Sequence, residues 1–284
     1  MTTFKRIRFV TDSTCDLPRD LVEKHGIGVV PCYLNFGTES YADGIEISRE
    51  AFYDRLTTAR PLPTTSAPPP GVAERIINQT FEGADHLVII SVPMKLSGVL
   101  NTLRLAASAI PPERLTLIDS GTTTMGLGWQ VLIGAEVAEA TGDLDAVLSA
   151  IQRARESQRM IAALPTLDNL RHSGRVSWAA ASIGTLLNIK PLIEVRDGEV
   201  HSIARIRTFG RATDELIELA RAEAPLDRLA LLHANNAAGA QAMLDRLKDV
   251  APPDTHIVNV TPVLGTYAGS GALGVATVRS SWRH

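Results

Sequence analysis

The chain has 284 residues, 45% of them hydrophobic and 21% charged, and a net charge of −3. That is ordinary globular composition, which excludes a disordered or fibrous chain, and the slightly acidic balance offers no attraction to nucleic acid. The length suits two domains, because single hydrophobic cores stop growing at roughly 250 to 300 residues.

The first half alternates strand and helix patterns. Ile7 to Val10 is a short apolar run closed by the polar turn Thr11-Asp12-Ser13-Thr14. Leu17 to Lys24 reads as a helix, with Asp16 as N-cap and Pro18 at its first position. Gly28 to Leu34 reads as a strand, Ser48 as the cap of a helix over Arg49 to Thr57, and the Pro/Thr/Ser-rich stretch Arg60 to Gly71 as a loop. A helix follows over Val72 to Gln79, then an apolar strand over His86 to Val92. Val99, Leu103, Ala106 and Ile110 recur at helical spacing within Ser97 to Ile110. Leu115 to Ile118 is a buried strand ended by Asp119-Ser120-Gly121, and Gly126 to Ala140 and Leu144 to Ser157 are helices. Strands that are apolar throughout and separated by helices predict a mostly parallel sheet covered on both faces.

The second half has another texture. Ile161 to Leu164 reads as a strand, Leu167 to Arg171 as a short helix and Trp178 to Leu187 as a further helix. Lys190 to Arg196 and Glu199 to Arg207 flank Asp197-Gly198, a strong hairpin signal. Thr213 to Ala222, Leu229 to His233, Ala237 to Val250 and His256 to Val260 follow as helix, strand, helix, strand, and Val275 to Arg279 as the last strand. The predicted class is therefore α/β with two domains. An N-terminal, mostly parallel Rossmann-like sheet flanked by helices spans 1–160. A C-terminal mixed or antiparallel α/β domain spans 161–284, its boundary falling near Gln158 to Pro165.

Several motifs point away from familiar chemistries. Gly269-Ser-Gly271-Ala-Leu-Gly274 matches the dinucleotide pattern literally but leads into a strand, whereas a pyrophosphate needs a helix N-terminus there. No P-loop, H-E-x-x-H or close Cys/His cluster occurs, so no metal or cofactor is expected, and Ser97 lacks a nucleophile elbow. Cys15 and Cys32 read as small buried hydrophobes. No run approaches the ~20 apolar residues of a membrane span. Lys5, Arg6 and Arg8 are not followed by a signal-peptide core. A cytoplasmic protein is expected.

What stands out is a set of small polar residues just after strands: Asp12-Ser13-Thr14, Thr64-Thr65-Ser66, Ser97-Gly98 and Asp119-Ser120-Gly121. In a parallel sheet such turns gather at the carboxyl edge, where ligands bind, and helix N-termini there suit a carboxylate or phosphate. Taken alone, each hydroxyl reads more readily as a cap for its own helix. Arg175, and Arg205 with Arg207, are cations that fit either a solvated face or a binding role.

Taken in order, several segments resemble the DegV family of fatty-acid-binding proteins. They are Thr11-Asp-Ser-Thr-Cys-Asp-Leu-Pro18, Tyr41-Ala-Asp43-Gly44 with Phe52-Tyr53, Pro63-Thr-Thr-Ser-Ala-Pro68, Lys95-Leu-Ser97-Gly98 and Ile118-Asp119-Ser120. Gly174-Arg175-Val-Ser177, Leu187-Asn-Ile-Lys-Pro191 and the terminal glycine block continue the series. The resemblance implies two α/β domains with an acyl chain buried in the first. Helices such as Val99 to Ile110 and Leu127 to Val137 fit the wall of a tunnel, although apolar stripes of this kind are more often plain core. The resemblance implies that Thr65 and Ser97 hydrogen-bond the carboxylate of a long-chain fatty acid such as palmitate. Ser66 and Gly98 would shape the pocket, and the terminal Gly-rich segment with Tyr267 would return to the site. Arg175 and Arg207 would face a separate fatty acid kinase, which phosphorylates the bound carboxylate.

The chain departs from the family pattern at three places: Tyr267 stands where many members carry histidine, Val99-Leu100 replaces Thr-Tyr, and Ala67 replaces Gln. A phenol donates one hydrogen bond but does not become cationic near neutral pH. On this reading the chain is a lipid-binding protein with no catalytic residue of its own. The rival is a stand-alone small-molecule kinase or acyl hydrolase using Asp12, Asp119 or Ser97 in the same cleft.

Overall fold

The computed structural model describes residues 6–176 and 189–283. In chain order the first half contains β1 (Ile7–Asp12), α1 (Arg19–Lys24), β2 (Gly28–Val30), β3 (Tyr33–Phe36), β4 (Glu39–Ala42), α2 (Arg49–Thr58) and β5 (Thr64–Ser66). It continues with α3 (Pro70–Phe81), β6 (His86–Ser91), α4 (Val99–Ala106), β7 (Leu115–Asp119), α5 (Met125–Thr141) and α6 (Leu144–Ser157). β2, β1, β6 and β7 form a parallel sheet in that order. All six residues of β6 are buried, as a strand covered on both faces requires. α5 is apolar on nearly every side and is correspondingly buried from Met125 to Ala135.

Three local readings need correction. Asp16 does not cap α1; Pro18 takes the N-cap position and Asp16 is left-handed at φ 54°. Its carboxylate accepts instead from Thr124 Oγ1 and Thr261 N, both at 2.7 Å, two donors from distant segments. The single strand expected over Gly28 to Leu34 is broken into β2 and β3 at Pro31-Cys32, where proline cannot donate to a ladder. The stretch 60–71 is not wholly loop: β5 pairs antiparallel with β3, Leu34 opposite Thr65, and with β4 completes a separate three-stranded sheet. A three-residue strand of Thr and Ser carries no period of its own; its partner creates it.

The second half contains β8 (Gln158–Ala163), α7 (Asp168–Ser173), β9 (Lys190–Arg196), β10 (Glu199–Ile206), α8 (Phe209–Arg221), β11 (Leu226–His233), α9 (Ala237–Leu247), β12 (His256–Asn259), α10 (Pro262–Ala268) and β13 (Leu273–Arg279). The helix expected over 178–187 lies outside the described residues. Six strands run in the order β10-β9-β8-β13-β11-β12, antiparallel except for β11 with β12. The molecule is thus α/β with one parallel and one mixed sheet, as the sequence predicts, and a small antiparallel sheet that the sequence does not.

Strand alternation makes the mixed sheet a shared wall. Ile161 and Ala163 of β8 pack with Leu216 and Met243 of α8 and α9, while Ala162 joins the core of the first half. The Asp197-Gly198 turn has both residues at positive φ, as a two-residue hairpin of this type needs. It docks on the first half: Gly198 N donates to Gly121 O at 2.8 Å, and Lys95 pairs with Glu199 at 2.7 Å. The glycine block 269–274 feeds β13 rather than a helix, so its resemblance to a nucleotide loop ends at the letters.

α10 was not expected, although Pro262 at its first turn and Gly269 at its C-cap are the usual punctuation. It leaves the second half and packs on α2, β3 and β5 of the first, and on α7. Gly265 permits the approach. A Cβ there would stand 2.6 Å from Tyr53 Oη and 2.8 Å from Phe52 Cε1. Gly265→Val is expected to destabilise the protein by about 1–3 kcal/mol through overpacking. A urea titration checks this, and an unchanged midpoint would contradict the tight seat of α10.

Candidate functional site

The segment leading into α10 is held by side chains of the first half. Arg49 Nη1 donates to Asn259 O, and Tyr53 Oη donates to Val260 O at 3.2 Å. Thr261 N donates to Asp16 Oδ1, and Thr261 Oγ1 donates to Asp43 Oδ2, which also accepts from Ser13 Oγ at 2.7 Å. Asp16 and Asp43 are buried, at 2% and 3% exposure. Burial pushes each carboxyl up to about 6, against the opposing pull of Arg49 and of the hydroxyl and amide donors. Arg49 Nη2 lies 3.6 Å from Asp16.

The other acidic turn residues are braces. Asp12 accepts from Thr14 N and Val92 N, both at 2.9 Å, and from the hydroxyls of Thr14 and Ser91, tying the ends of β1 and β6 together. Asp119 accepts from Gly121 N and Met94 N, each at 2.9 Å. Cys15 and Cys32 are free and buried, and burial raises both thiol pKa values.

Between the carboxyl edge of the parallel sheet and the inner face of the mixed sheet lies a cavity of about 1060 Å³, counting its open mouth, with an almost wholly apolar wall. The loops after β1, β6 and β7 contribute Thr14, Val92, Ser97, Thr123 and Thr124; the mixed sheet contributes Ala162, Ile193 and Leu232; α10 contributes Val263, Leu264 and Tyr267. This placement sets the cavity between the halves rather than inside the first, and it favours the plain-core reading of the helices over the tunnel-wall reading. Neither α4 nor α5 supplies a wall residue. Their apolar stripes are packed solid as core, with Trp129 Nε1 donating to Ala276 O at 3.2 Å.

Thr65, Ser66, Ser97, Tyr267 and Arg175 all line this one cavity. The Thr65 and Tyr267 hydroxyls are hydrogen-bonded to each other. The Arg175 guanidinium carbon sits 5.0 Å from the Tyr267 ring centroid, and Arg175 Nε donates to Leu96 O at 3.1 Å, one residue before Ser97. Arg175 therefore joins the Thr65–Tyr267 side to the Ser97 side. Burial pushes the Tyr267 phenol up from its ordinary value, so it stays protonated and able to donate. Gly98 and Arg207 are not on the wall. Gly98 is exposed at the start of α4, and Arg207 is exposed just beyond β10, as is Arg205 within it.

The sequence reading missed His233 and Thr123 on the wall and the role of Asp43 in holding Thr261. The available signal for His233 was a polar residue closing the apolar strand β11. Among the described residues no group of His, Cys, Asp and Glu is arranged to hold a metal, and no helix is long and apolar enough to cross a membrane.

Residues 6–280 match the family model described as "Uncharacterised protein, DegV family". A DegV domain-containing protein of Clostridium perfringens is 32% identical over 282 residues, covering 97% of this chain and 99% of its own. One of Streptomyces coelicolor is 34% identical over 277 residues, covering 95% and 98%. Among solved structures, a DegV family protein from Thermus thermophilus, described by its fatty acid binding, superposes with a TM-score of 0.87 at 30% identity over 96% of this chain and 99% of that one. DegV from Bacillus subtilis, described as a fatty acid binding protein, gives 0.85 at 27% identity over 96% and 99%.

The buried carboxylates set a pH dependence. A carboxyl whose folded pKa exceeds its unfolded value favours folding below the unfolded value, near 4, and loses that contribution as pH rises through about 6. Asp43→Asn keeps an oxygen for Ser13 and Thr261 and removes the charge. Its stability relative to the parent is expected to be greatest above pH 7 and to shrink by roughly 1–3 kcal/mol on acidification to pH 5. Denaturant titrations at the two pH values check this; a pH-independent difference would contradict it.

Proposed function

The chain belongs to the DegV family, and on that premise we propose that it holds one long-chain fatty acid, such as palmitate, in the cavity between its two sheets and presents the carboxylate at the mouth. The observation that carries the reading is an apolar cavity whose mouth gathers the hydroxyls of Thr65, Ser97 and Tyr267 beside the guanidinium of Arg175. The fatty acid binding described for the Thermus thermophilus and Bacillus subtilis proteins supports the ligand class.

In this reading the tail sets affinity and the mouth sets orientation. Each buried methylene contributes about 0.8 kcal/mol, so a sixteen-carbon tail grosses on the order of 10 kcal/mol. Hydrogen bonds from Thr65 and Ser97 to a carboxylate add about 1.5 to 3 kcal/mol each, with Tyr267 as a further neutral donor and Ser66 shaping the rim. A protein that offers a carboxylate at its surface, with Arg175 beside it, is built to pass that group to a second protein. We assign that role to a separate fatty acid kinase, with Arg175 and Arg207 as its contact points, in an intracellular setting. The Asp12 and Asp119 carboxylates are committed to loop hydrogen bonds, which favours this reading over a self-sufficient kinase or hydrolase.

Native mass spectrometry of the purified protein is expected to find a co-purifying fatty acid; a clean apo mass together with no palmitate binding would refute the assignment. Thr65→Ala with Ser97→Ala is expected to weaken palmitate binding by roughly a hundredfold to ten-thousandfold while leaving the tail contribution. Unchanged affinity in the double variant, measured by titration calorimetry, would remove those two residues from the head-group site.

A further inference from the structure

Asp12, Asp16 and Asp43 are all buried near the Thr261 end of α10, and their hydrogen bonds set one of them apart. Asp12 accepts from four donors, two on each oxygen. Asp16 accepts from Thr261 N on Oδ1 and from Thr124 Oγ1 on Oδ2, with Arg49 Nη2 at 3.6 Å from the first. On Asp43, Ser13 Oγ and Thr261 Oγ1 both donate to Oδ2. Its Oδ1 is buried with no hydrogen-bond partner among the described residues.

A carboxyl that takes a proton needs an oxygen free of donors. On Asp12 or Asp16 the proton would displace a hydrogen bond; on Asp43 Oδ1 it displaces none. Burial raises Asp16 as well, yet both its oxygens are occupied. Leaving Asp43 ionised puts part of a buried charge on an oxygen that no donor answers, with Asp12 and Asp16 adding repulsion. Arg49 opposes this, but it also serves Asp16. Tyr53 of α2 and Cys32, between β2 and β3, stay protonated because burial raises both. Burial and Arg49 hold the pKa of His233, at the end of β11, below its ordinary value. Glu46 is exposed and accepts from Ala42 N at 2.6 Å.

From this seam α10 runs along the cavity, to which it gives Val263, Leu264 and Tyr267. Breaking Thr261 away from the two acids frees that wall and lets water reach Asp43. We propose that Asp43 is a one-proton latch: with a proton on Oδ1 it keeps Thr261 and α10 closed, and on losing it the Thr261 end opens more often and the cavity exchanges its guest faster. The latch stands on the seam alone, whereas the identity of the guest rests on the fatty-acid reading. A carboxyl pushed up to about 6 favours the closed seam below its ordinary value of 3.8 and loses that contribution as pH rises through about 6. Between pH 5 and pH 7.5 the opening equilibrium therefore grows about tenfold.

Hydrogen exchange of the Thr261 amide, corrected for the intrinsic pH dependence of exchange, reads the opening without any ligand. The opening constant is expected to rise about tenfold from pH 5 to pH 7.5 in the parent protein. It is expected to stay level in Asp43→Asn, which keeps an oxygen for Ser13 and Thr261, and to keep most of its rise in Asp16→Asn. A level constant in the parent, or a rise that survives in Asp43→Asn, would overturn the proposal. Loss of the rise in Asp16→Asn would put the proton on Asp16 and overturn it equally, whether or not Asp43→Asn folds. Release of a bound fluorescent fatty acid is expected to quicken with pH in the parent by a similar factor and not in Asp43→Asn; release that ignores the opening constant would overturn the link to the guest. A pH-dependent opening in a protein that binds no fatty acid at either pH would overturn the fatty-acid reading alone.

Discussion

The grip of Asp16 and Asp43 on Thr261 is the constraint on which the site depends. It fixes the N-terminal end of a helix that belongs to the second half of the chain against strands and a helix of the first. With that end fixed and Gly265 letting the helix lie flat on Phe52 and Tyr53, the other end delivers Tyr267 to Thr65. A hydroxyl pair contributed by residues far apart in sequence is thus the outcome of two buried carboxylates at the opposite end of the same short helix.

The arrangement is costly and only partly offset, since Asp43 Oδ1 is buried without a hydrogen-bond partner among the described residues. Removing a carboxylate from water is unfavourable unless donors replace the water, and here the Thr261 amide, the hydroxyls of Ser13, Thr124 and Thr261, and Arg49 replace part of it. Apolar residues would hold the same helix with less penalty but without fixing its register. Thr261 offers both its amide and its hydroxyl to first-half acids, and only one rotation of α10 satisfies both.

Much of the architecture was legible in the sequence. β6 and α5 are apolar enough throughout to announce burial, and Asp197-Gly198 announces its hairpin through two positions that need positive φ. The elements missed are those whose reason lies elsewhere in the chain. β5 exists because β3 is beside it, and Asp16 left its helix because Thr124 and Thr261 are better donors. The motif resemblance gathered Thr65, Ser66, Ser97 and Tyr267, which do line one cavity, but it also included Gly98, turned Arg175 toward a partner and put the acyl chain in the first half. Apolar stripes on α4 and α5 look the same whether they face a ligand or their own core, and they face the core.

The docking of the β9–β10 hairpin on Gly121 and Lys95 adds a second seam, remote in sequence from the one at Thr261. For the fatty acid proposed above, a slot stitched along two seams would have walls that resist swinging apart as the guest grows. It would act as a ruler rather than a purse: a chain too long for it would gain room only where individual side chains yield. Met160, unbranched and adaptable, is the wall residue best suited to yield. Tolerance for guest length would then be decided by a few rotamers rather than by the whole molecule breathing.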